Sequence, residues 1–257
     1  MKRIILICLL IPLFLTPSFG WSKEGHQVIA KIAENNLKPS VKKKIEKYLD
    51  GHSIVYVASW MDYYRSTPEY SFTTKWHTAP VNAELKYDDT LLDPVKGNAI
   101  YGLEKAIETL KDYKNLTDST VAVNIKYIVH IVGDMHCPSH VKYTTYDVNY
   151  KVDMPKIGRI TLHSLWDSAV IRETRVYSHT EWSKELDLYS KKQIKEVVAG
   201  TPRDWFHESA QRCTVQFDWI KPNETVSRDA LNSSILLIEE QCLLAGYRLA
   251  HILNGIF

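Results

Sequence analysis

Residues 128–140 read IVHIVGDMHCPSH, an apolar helical stretch that carries polar side chains at regular intervals. His130 and Asp134 are four residues apart, so on a helix they share one face and can reach one metal ion. Pro138 interrupts the helix, and the turn after it can bring His140 back toward the same cleft. The run therefore predicts a helix that ends at a metal site.

The same spacing recurs downstream in LHSLWDS, where His163 and Asp167 are again four residues apart. Upstream, SWMD offers Asp62 and KWHTAP offers His77. Imidazole nitrogens and carboxylate oxygens are the usual ligands of a catalytic, water-bearing zinc, whereas structural zinc sites are more often rich in thiolates. A single pair of this kind is also typical of a core or capping histidine. Two pairs with further ligands indicate a metal centre.

The chain begins MKRIILICLLIPLFLTPSFG, with a basic start, an apolar centre and small residues at positions −3 and −1 of a cleavage site. This pattern predicts a signal peptide over residues 1–20 and a mature chain over residues 21–257. Cleavage exposes the α-amine of Trp21, which can chelate a metal with its own carbonyl oxygen, and His26 is close enough to join. The alternative is an ordinary secretion signal before an ordinary amphipathic helix.

The remaining 237 of 257 residues are enough for one domain with a substantial core. No segment after the leader has 18 uncharged apolar residues in a row, so we expect no membrane span in the mature chain. Two of the 32 basic residues lie in the leader, which leaves 30 against 30 acidic residues. A net charge near zero argues against broad electrostatic binding of duplex DNA. We expect an exported protein, secreted or periplasmic.

Three cysteines, Cys137, Cys213 and Cys242, stay with the mature chain. An odd number allows one disulfide, and we predict Cys213–Cys242 because Cys137 lies among the candidate metal ligands. The alternative is that all three are buried thiols.

Helical periodicity dominates the secondary structure. Val28, Ile29, Ile32 and Ala33 share one face of the first helix, and Pro39 suits the start of the second. Helices are predicted over residues 26–36, 41–49, 54–64, 90–110, 118–135, 162–173, 183–199 and 234–253.

The segment 142–161 alternates in polarity and contains Pro155 and Gly158, which predicts a short β-hairpin or a long loop. Asp118 or Ser119 is the predicted N-cap of the helix that carries His130. One mainly α-helical domain is the economical interpretation.

Three motifs together carry a resemblance to a known family. They are a mature N-terminal Trp with His five residues on, the H-x₃-D-x-H-x₃-H run and the LHSxWD sequence. Through them the chain resembles the secreted zinc-dependent single-strand nucleases and 3′-nucleotidases of the nuclease S1 and P1 type, over essentially the whole mature chain. The resemblance implies a mainly helical single domain, shared in architecture with bacterial zinc phospholipase C, and three zinc ions in one cleft.

The resemblance also implies which residues bind each ion. The three implied sets are Asp62, His77, His130 and Asp134 for the first zinc; the amine and carbonyl of Trp21 with His26 and Asp134 for the second; and His140, His163 and Asp167 for the third. Asp134 then bridges the first two ions. His136 lies within the motif without being a ligand of the family, and either orients a carboxylate or has a purely structural role.

The implied chemistry is hydrolysis by water activated on the metals, with Asp62 and Asp134 as the catalytic carboxylates. A hydroxide shared by two zinc ions attacks phosphorus in line, and the third zinc stabilises the leaving 3′ oxygen. The implied substrates are single-stranded RNA and DNA, cut to 5′-phosphorylated products, and 3′-nucleotides. No stable protein partner is implied. Unpaired bases would stack on aromatic side chains, for which the candidates are Tyr63, Tyr64, Trp76, Tyr143 and Tyr146.

The chain departs from the family pattern at several positions. Pro80 stands where an acidic residue commonly orients the attacking water, and Asn82 and Glu84 are the nearby substitutes. Cys137 stands where Gln is typical, and Thr161 where Asn is common. Two other hypotheses therefore stay open. One is a phospholipase-C-like phosphodiesterase, and the other is an exported zinc-binding protein without catalytic activity.

Overall fold

The structure is a computed structural model that describes residues 21–174 and 177–257. The predicted signal peptide, residues 1–20, lies outside the described residues. The described chain is mainly α-helical with two short pairs of strands, which confirms the predicted fold class. No helix in these ranges is both long and apolar enough to span a membrane.

The helices are α1 (Lys23–Asn35), α2 (Pro39–Tyr48), α3 (Ile54–Val57), α4 (Trp60–Tyr64), α5 (Ala99–Leu110), α6 (Asp118–Asp134), α7 (Leu162–Ser164), α8 (Val170–Thr174), α9 (His179–Leu186), α10 (Lys191–Val197), α11 (Pro202–Cys213), α12 (Gln216–Trp219) and α13 (Arg228–Ile256). The strands are β1 (Ala79–Pro80), β2 (Val141–Lys142), β3 (Lys151–Met154) and β4 (Gly158–Thr161). A π-helical turn, Leu165–Ala169, joins α7 to α8.

The core is built on α1, α6 and α13. Helix α1 packs against α13, α6 and α9, and α6 packs against α5 and α13. The predicted apolar face of α1 is buried, with Val28, Ile29, Ile32 and Ala33 no more than 2 % exposed. Almost all of the second half of α6 is buried, so this helix runs through the domain rather than over its surface.

Several predicted helices are interrupted in the structure. The segment 54–64 forms two short helices, α3 and α4, and the segment 183–199 falls into α9 and α10, because the serine capping box at Ser190 begins a new helix. Only the second half of 90–110 is α-helical. Gly97 adopts a φ of +67°, and the Asn98 side chain then caps α5.

Other predictions were incomplete. Helices α11 and α12 were not predicted, and α13 begins at Arg228, before the predicted start. The N-cap of α6 is Thr117, whose side chain accepts the Thr120 amide, and not Asp118 or Ser119 as predicted. Local preference did not separate these three neighbouring polar residues, since each is a suitable cap.

The predicted hairpin is present as the antiparallel pair β3–β4. The parallel pair β1–β2 was not predicted, since its strands are two residues long and some 60 positions apart in the sequence. In this pair the Ala79 amide donates to the His140 carbonyl at 3.2 Å. The pairing therefore fixes the segment after His77 beside the segment after His140.

The predicted disulfide Cys213–Cys242 is wrong. All three cysteines of the described chain are free and buried. Cys213, at the end of α11, lies with its sulfur 3.9 Å from Ser209 Oγ, and Cys242 lies within α13. An odd number of cysteines permits a disulfide but does not bring two of them together.

A glycine sets the approach of α1 to α13. A Cβ atom on Gly246 would lie 2.5 Å from Ile32 Cγ2 and 3.2 Å from the Ile29 carbonyl oxygen, whereas nothing lies within 4 Å of a Cβ on Gly255. We expect Gly246→Ala to lower the free energy of unfolding by at least about 1 kcal/mol, since overpacking a core outweighs the helix propensity of alanine. Gly255→Ala is the matched control in the same helix and should cost nothing. Urea unfolding of both variants tests this, and equal stabilities would contradict it.

Candidate metal centre

The end of α6 holds the first pair of predicted ligands. His130 Nδ1 donates a hydrogen bond to the carbonyl oxygen of Ala58 at 2.8 Å, because a carbonyl can only accept. A neutral His130 therefore presents an unprotonated Nε2 on the other side of its ring. A histidine fixed in this way is typical of a metal ligand. The break between α3 and α4 supplies the carbonyl group.

Asp134 lies at the centre of the cluster. Its Oδ2 is 2.9 Å from His77 Nδ1 and 3.2 Å from His130 Nε2, and its Oδ1 is 3.2 Å from His140 Nδ1 and 3.4 Å from His26 Nε2. The carboxylate is fully buried. One buried carboxylate thus contacts four imidazoles that come from four different parts of the chain.

Asp62, on α4, lies at the edge of this cluster. Its Oδ1 is 3.8 Å from both His77 Nδ1 and His130 Nε2, and the three side chains form one group that can hold a metal ion. The Asp62 side chain is 17 % exposed, compared with 0 % for Asp134. The Asp62 carboxylate is therefore the more accessible of the two.

The start of the described chain is fixed beside the cluster. The Trp21 indole donates to the Gly133 carbonyl at 2.9 Å, and the Ser22 amide donates to the Asp167 carbonyl at 2.6 Å. Trp21 is fully buried. The His26 ring stacks on His130 with centroids 3.9 Å apart, and His26, His130 and Asp134 form a second group that can hold a metal ion.

Asp167 organises the third group of ligands. Its Oδ2 is 3.1 Å from His163 Nε2, and its Oδ1 is 3.5 Å from His140 Nε2. The LHSLWDS motif begins in α7 and continues into the π-helical turn, a geometry that often occurs at functional sites. Cys137, His140 and Asp167 also form a group with ligand atoms within 4.8 Å of one another.

Burial controls the protonation of the histidines at one side of the site. Burial, with the neighbouring His130, lowers the pKa of His26 to about 4, and burial lowers the pKa of His77 to about 3. Both imidazoles are therefore neutral near pH 7, the form that binds a metal.

The carboxylates act in the opposite direction on His140. Burial works against its protonation, but Asp134 and Asp167 outweigh burial and raise the pKa of His140 to about 10. The two carboxylates therefore attract positive charge to this position.

Burial raises the pKa of Asp62 to about 6, and burial also raises the pKa of the Cys137 thiol well above its usual range.

Several of the nitrogen and oxygen atoms that could bind a metal lack hydrogen-bond partners in the described chain. Buried side-chain atoms without one in the described chain include both ring nitrogens of His26 and His140, His77 Nε2, Asp62 Oδ1 and Asp134 Oδ1. Buried polar groups in proteins are almost always satisfied, so such a concentration needs an explanation. Nitrogen and carboxylate donors converging in one buried cleft fit zinc ions.

The structure brings together all eight predicted side-chain ligands, together with Trp21. His136 is different, since within residues 21–174 and 177–257 its ring nitrogens bond to a carbonyl and a guanidinium and not to a carboxylate. Its Nδ1 donates to the Val132 carbonyl at 2.8 Å, and its Nε2 accepts from Arg248 Nη1 at 2.8 Å. The alternative in which His136 orients a carboxylate is therefore wrong, and the residue connects α6 to α13.

The residues near the site divide by exposure. Trp76 and Tyr143 are buried, while Tyr63, Tyr64 and Tyr146 are at least 43 % exposed.

Asn82, one nearby substitute for the missing acid, uses its side-chain oxygen to accept the Glu84 and Lys86 amides of its own turn. The sequence reasoning did not identify Ser139, whose hydroxyl donates to Asp167 Oδ1 at 2.9 Å. Its position one residue before His140 was the available signal.

Comparison with known proteins identifies the family of this chain. Residues 21–257 match the family model described as S1/P1 nuclease. Similar proteins include Endonuclease 1 of Arabidopsis thaliana, 24 % identical over 93 % of this chain and 87 % of that protein, and Nuclease P1 of Penicillium citrinum, 24 % identical over 92 % and 97 %. Nuclease S1 of Aspergillus oryzae is 27 % identical over 61 % of this chain and 56 % of its own length. Because the family model covers the whole described region, the chain belongs to the S1/P1 nuclease family.

Proposed function

We propose that this protein is an exported zinc nuclease that hydrolyses single-stranded RNA and DNA to 5′-phosphorylated products and dephosphorylates 3′-nucleotides. The observation that carries the proposal is the Asp134 carboxylate, buried among four imidazoles in a chain of the nuclease family. The signal-peptide pattern over residues 1–20 supports export to a periplasm or an extracellular space.

We assign three zinc ions to the three groups around the cleft. The sets are Asp62, His77, His130 and Asp134; Trp21, His26 and Asp134; and His140, His163 and Asp167. Zinc, when bound, lowers the pKa of a water molecule and neutralises the charge of a phosphodiester. The shared position of Asp134 between His26 and the His77–His130 pair supports its role as the bridging carboxylate.

The chain's own residues prepare this chemistry. Ala58 holds the His130 ring so that Nε2 faces Asp62 and Asp134. Asp62 is the more exposed of the two carboxylates that we assign as catalytic, so it faces the incoming water and phosphate. Water is the nucleophile, and no side chain forms a covalent bond to phosphorus.

Two exposed aromatic side chains on α4, the helix that carries Asp62, support a preference for single strands. Tyr63 and Tyr64 follow Asp62 on α4 and are 64 % and 43 % exposed. Stacking of one base on such a ring is worth roughly 1–3 kcal/mol, and a base paired in a duplex cannot take part. Trp76 and Tyr143 are buried and do not contribute to such a surface.

The first test is an assay of the chain that begins at Trp21, with single-stranded RNA and DNA, with and without chelator. We expect cleavage that is lost on metal removal, restored by zinc, and slower on duplexes. Mass spectrometry of the fragments should show 5′-phosphate ends. Zinc binding without cleavage of any nucleic acid would contradict the proposal, and hydrolysis of phospholipid instead would favour the phospholipase-like alternative.

The bridging role of Asp134 gives a second prediction. We expect Asp134→Asn to lower kcat/KM by more than about a hundredfold, because it affects two ions, and to lower it further than Asp167→Asn, which affects one. Asp153→Asn is the control, since Asp153 is a partly exposed carboxylate on the β3–β4 hairpin. Zinc content and nuclease rate are measured for each variant. Equal losses for Asp134→Asn and Asp167→Asn would count against a bridge.

The N-terminal amine gives a third prediction. One glycine added before Trp21 replaces the amine by an amide, which is a poor zinc ligand at neutral pH. We expect about one zinc ion fewer per chain and at least about a tenfold loss of activity. The control is the same extended protein trimmed back to Trp21 by a protease, with the terminus verified by mass. If the extended protein retained its full zinc content and rate, the amine would not be a ligand.

A further inference from the structure

The two oxygens of the buried Asp167 carboxylate have different surroundings. Oδ2 lies 3.1 Å from His163 Nε2. Oδ1 receives the Ser139 hydroxyl at 2.9 Å and lies 3.4 Å from Cys137 Sγ, with His140 Nε2 at 3.5 Å. Two neutral groups from the Cys-Pro-Ser segment, the Ser139 hydroxyl and the Cys137 thiol, therefore lie beside Oδ1.

The thiol and the hydroxyl act on the same oxygen. Cys137 Sγ has two acceptors within reach, Asp167 Oδ1 at 3.4 Å and Ser139 Oγ at 3.2 Å. The Ser139 hydroxyl has one proton, which it donates to Asp167, so its oxygen is free to accept the thiol. By either route Cys137 supports the hydrogen bonding of Oδ1.

The turn that carries these two residues is itself fixed. The buried Gln216 side chain donates to the Pro138 carbonyl at 3.0 Å, and the His140 amide donates to the Cys137 carbonyl at 3.0 Å. Cys137 and Ser139 are both no more than 1 % exposed. A rigid turn can therefore impose an orientation on Asp167 that a mobile loop could not.

We propose that Cys137 and Ser139 are positioning residues that hold the Asp167 carboxylate in the orientation in which it binds the third metal ion. This inference rests on the ligand set assigned under the proposed function. Hydrogen bonds to ligand carboxylates orient them, and their loss typically costs 10–100-fold in metal affinity. The Cys137 sulfur supports the carboxylate by a hydrogen bond, directly or through Ser139, and is not a fourth ligand.

The test measures metal affinity without substrate, by zinc titration against a chromophoric chelator. We expect Ser139→Ala and Cys137→Ala each to weaken the binding of one zinc equivalent by about tenfold and to leave the others unchanged. Cys137→Ser keeps a donor and should restore most of the affinity. Circular dichroism and thermal unfolding establish that each variant is folded.

The matched control is Cys213→Ala. Cys213 is also a buried thiol beside a serine hydroxyl, with its sulfur 3.9 Å from Ser209 Oγ, and it belongs to no ligand group of the described chain. We expect it to cost stability and leave all zinc affinities unchanged. Equal zinc affinities in wild type, Cys137→Ala and Ser139→Ala would overturn the proposal, as would an equal loss in Cys213→Ala.

Cobalt substitution separates positioning from coordination. A thiolate ligand gives Co²⁺ an intense near-ultraviolet charge-transfer band. We expect no such band in the wild-type protein. A band that disappears in Cys137→Ala would make Cys137 a ligand and overturn the proposal. Nuclease activity is assayed separately, so a protein with the expected pattern of affinities and no hydrolysis would refute the proposed function while this inference stood.

Discussion

A charged carboxylate that is fully buried is stable only beside groups that compensate its charge, and Asp134 is such a carboxylate. The four imidazoles around it come from α1, α6 and the segments before β1 and β2. Burial opposes ionisation of Asp134, but His130 and His140 outweigh it and hold the pKa of this carboxyl well below its usual range. A charged carboxylate among imidazoles can be satisfied by cations, and in the proposed function zinc ions would provide them.

Two glycines allow the helices around this cluster to pack closely. Gly133, directly before Asp134, lets the His26 ring approach α6, since a Cβ there would lie 2.8 Å from His26 Nδ1. Gly246 allows α1 to lie close to α13 in the same way. Arg248, nearly fully buried, reaches from α13 to His136 just beyond the end of α6. The close approach of α1 to α6 thereby sets the distances from His26 to His130 and Asp134.

Departures from the family pattern lie around the ligands and not among them. Pro80 lies in β1 opposite Lys142 of β2, and Asn82 is committed to its own turn, so neither supplies a carboxylate at this edge of the cleft. Cys137 contacts the oxygen of Asp167 that Ser139 also binds. The ligands that we propose thus keep the family pattern, whereas several of the residues around them differ from it.

Much of the candidate site followed from the sequence, because its signals are local. On a helix, four-residue spacing puts His130 and Asp134 on one face, and His163 and Asp167 likewise, independently of the rest of the fold. The apolar face of α1 and the β3–β4 hairpin follow from periodicity in the same way. Local patterns could not show that the helix predicted over residues 54–64 is interrupted, which leaves the Ala58 carbonyl to accept a hydrogen bond from His130. They also could not show that His136 contacts Arg248. They also left Cys213 and Cys242 as a plausible pair, although both are free. The Ala58–His130 contact joins residues 72 positions apart, and the His136–Arg248 contact joins residues 112 positions apart. Contacts between such distant residues are decided by the packing of the helices and not by local sequence.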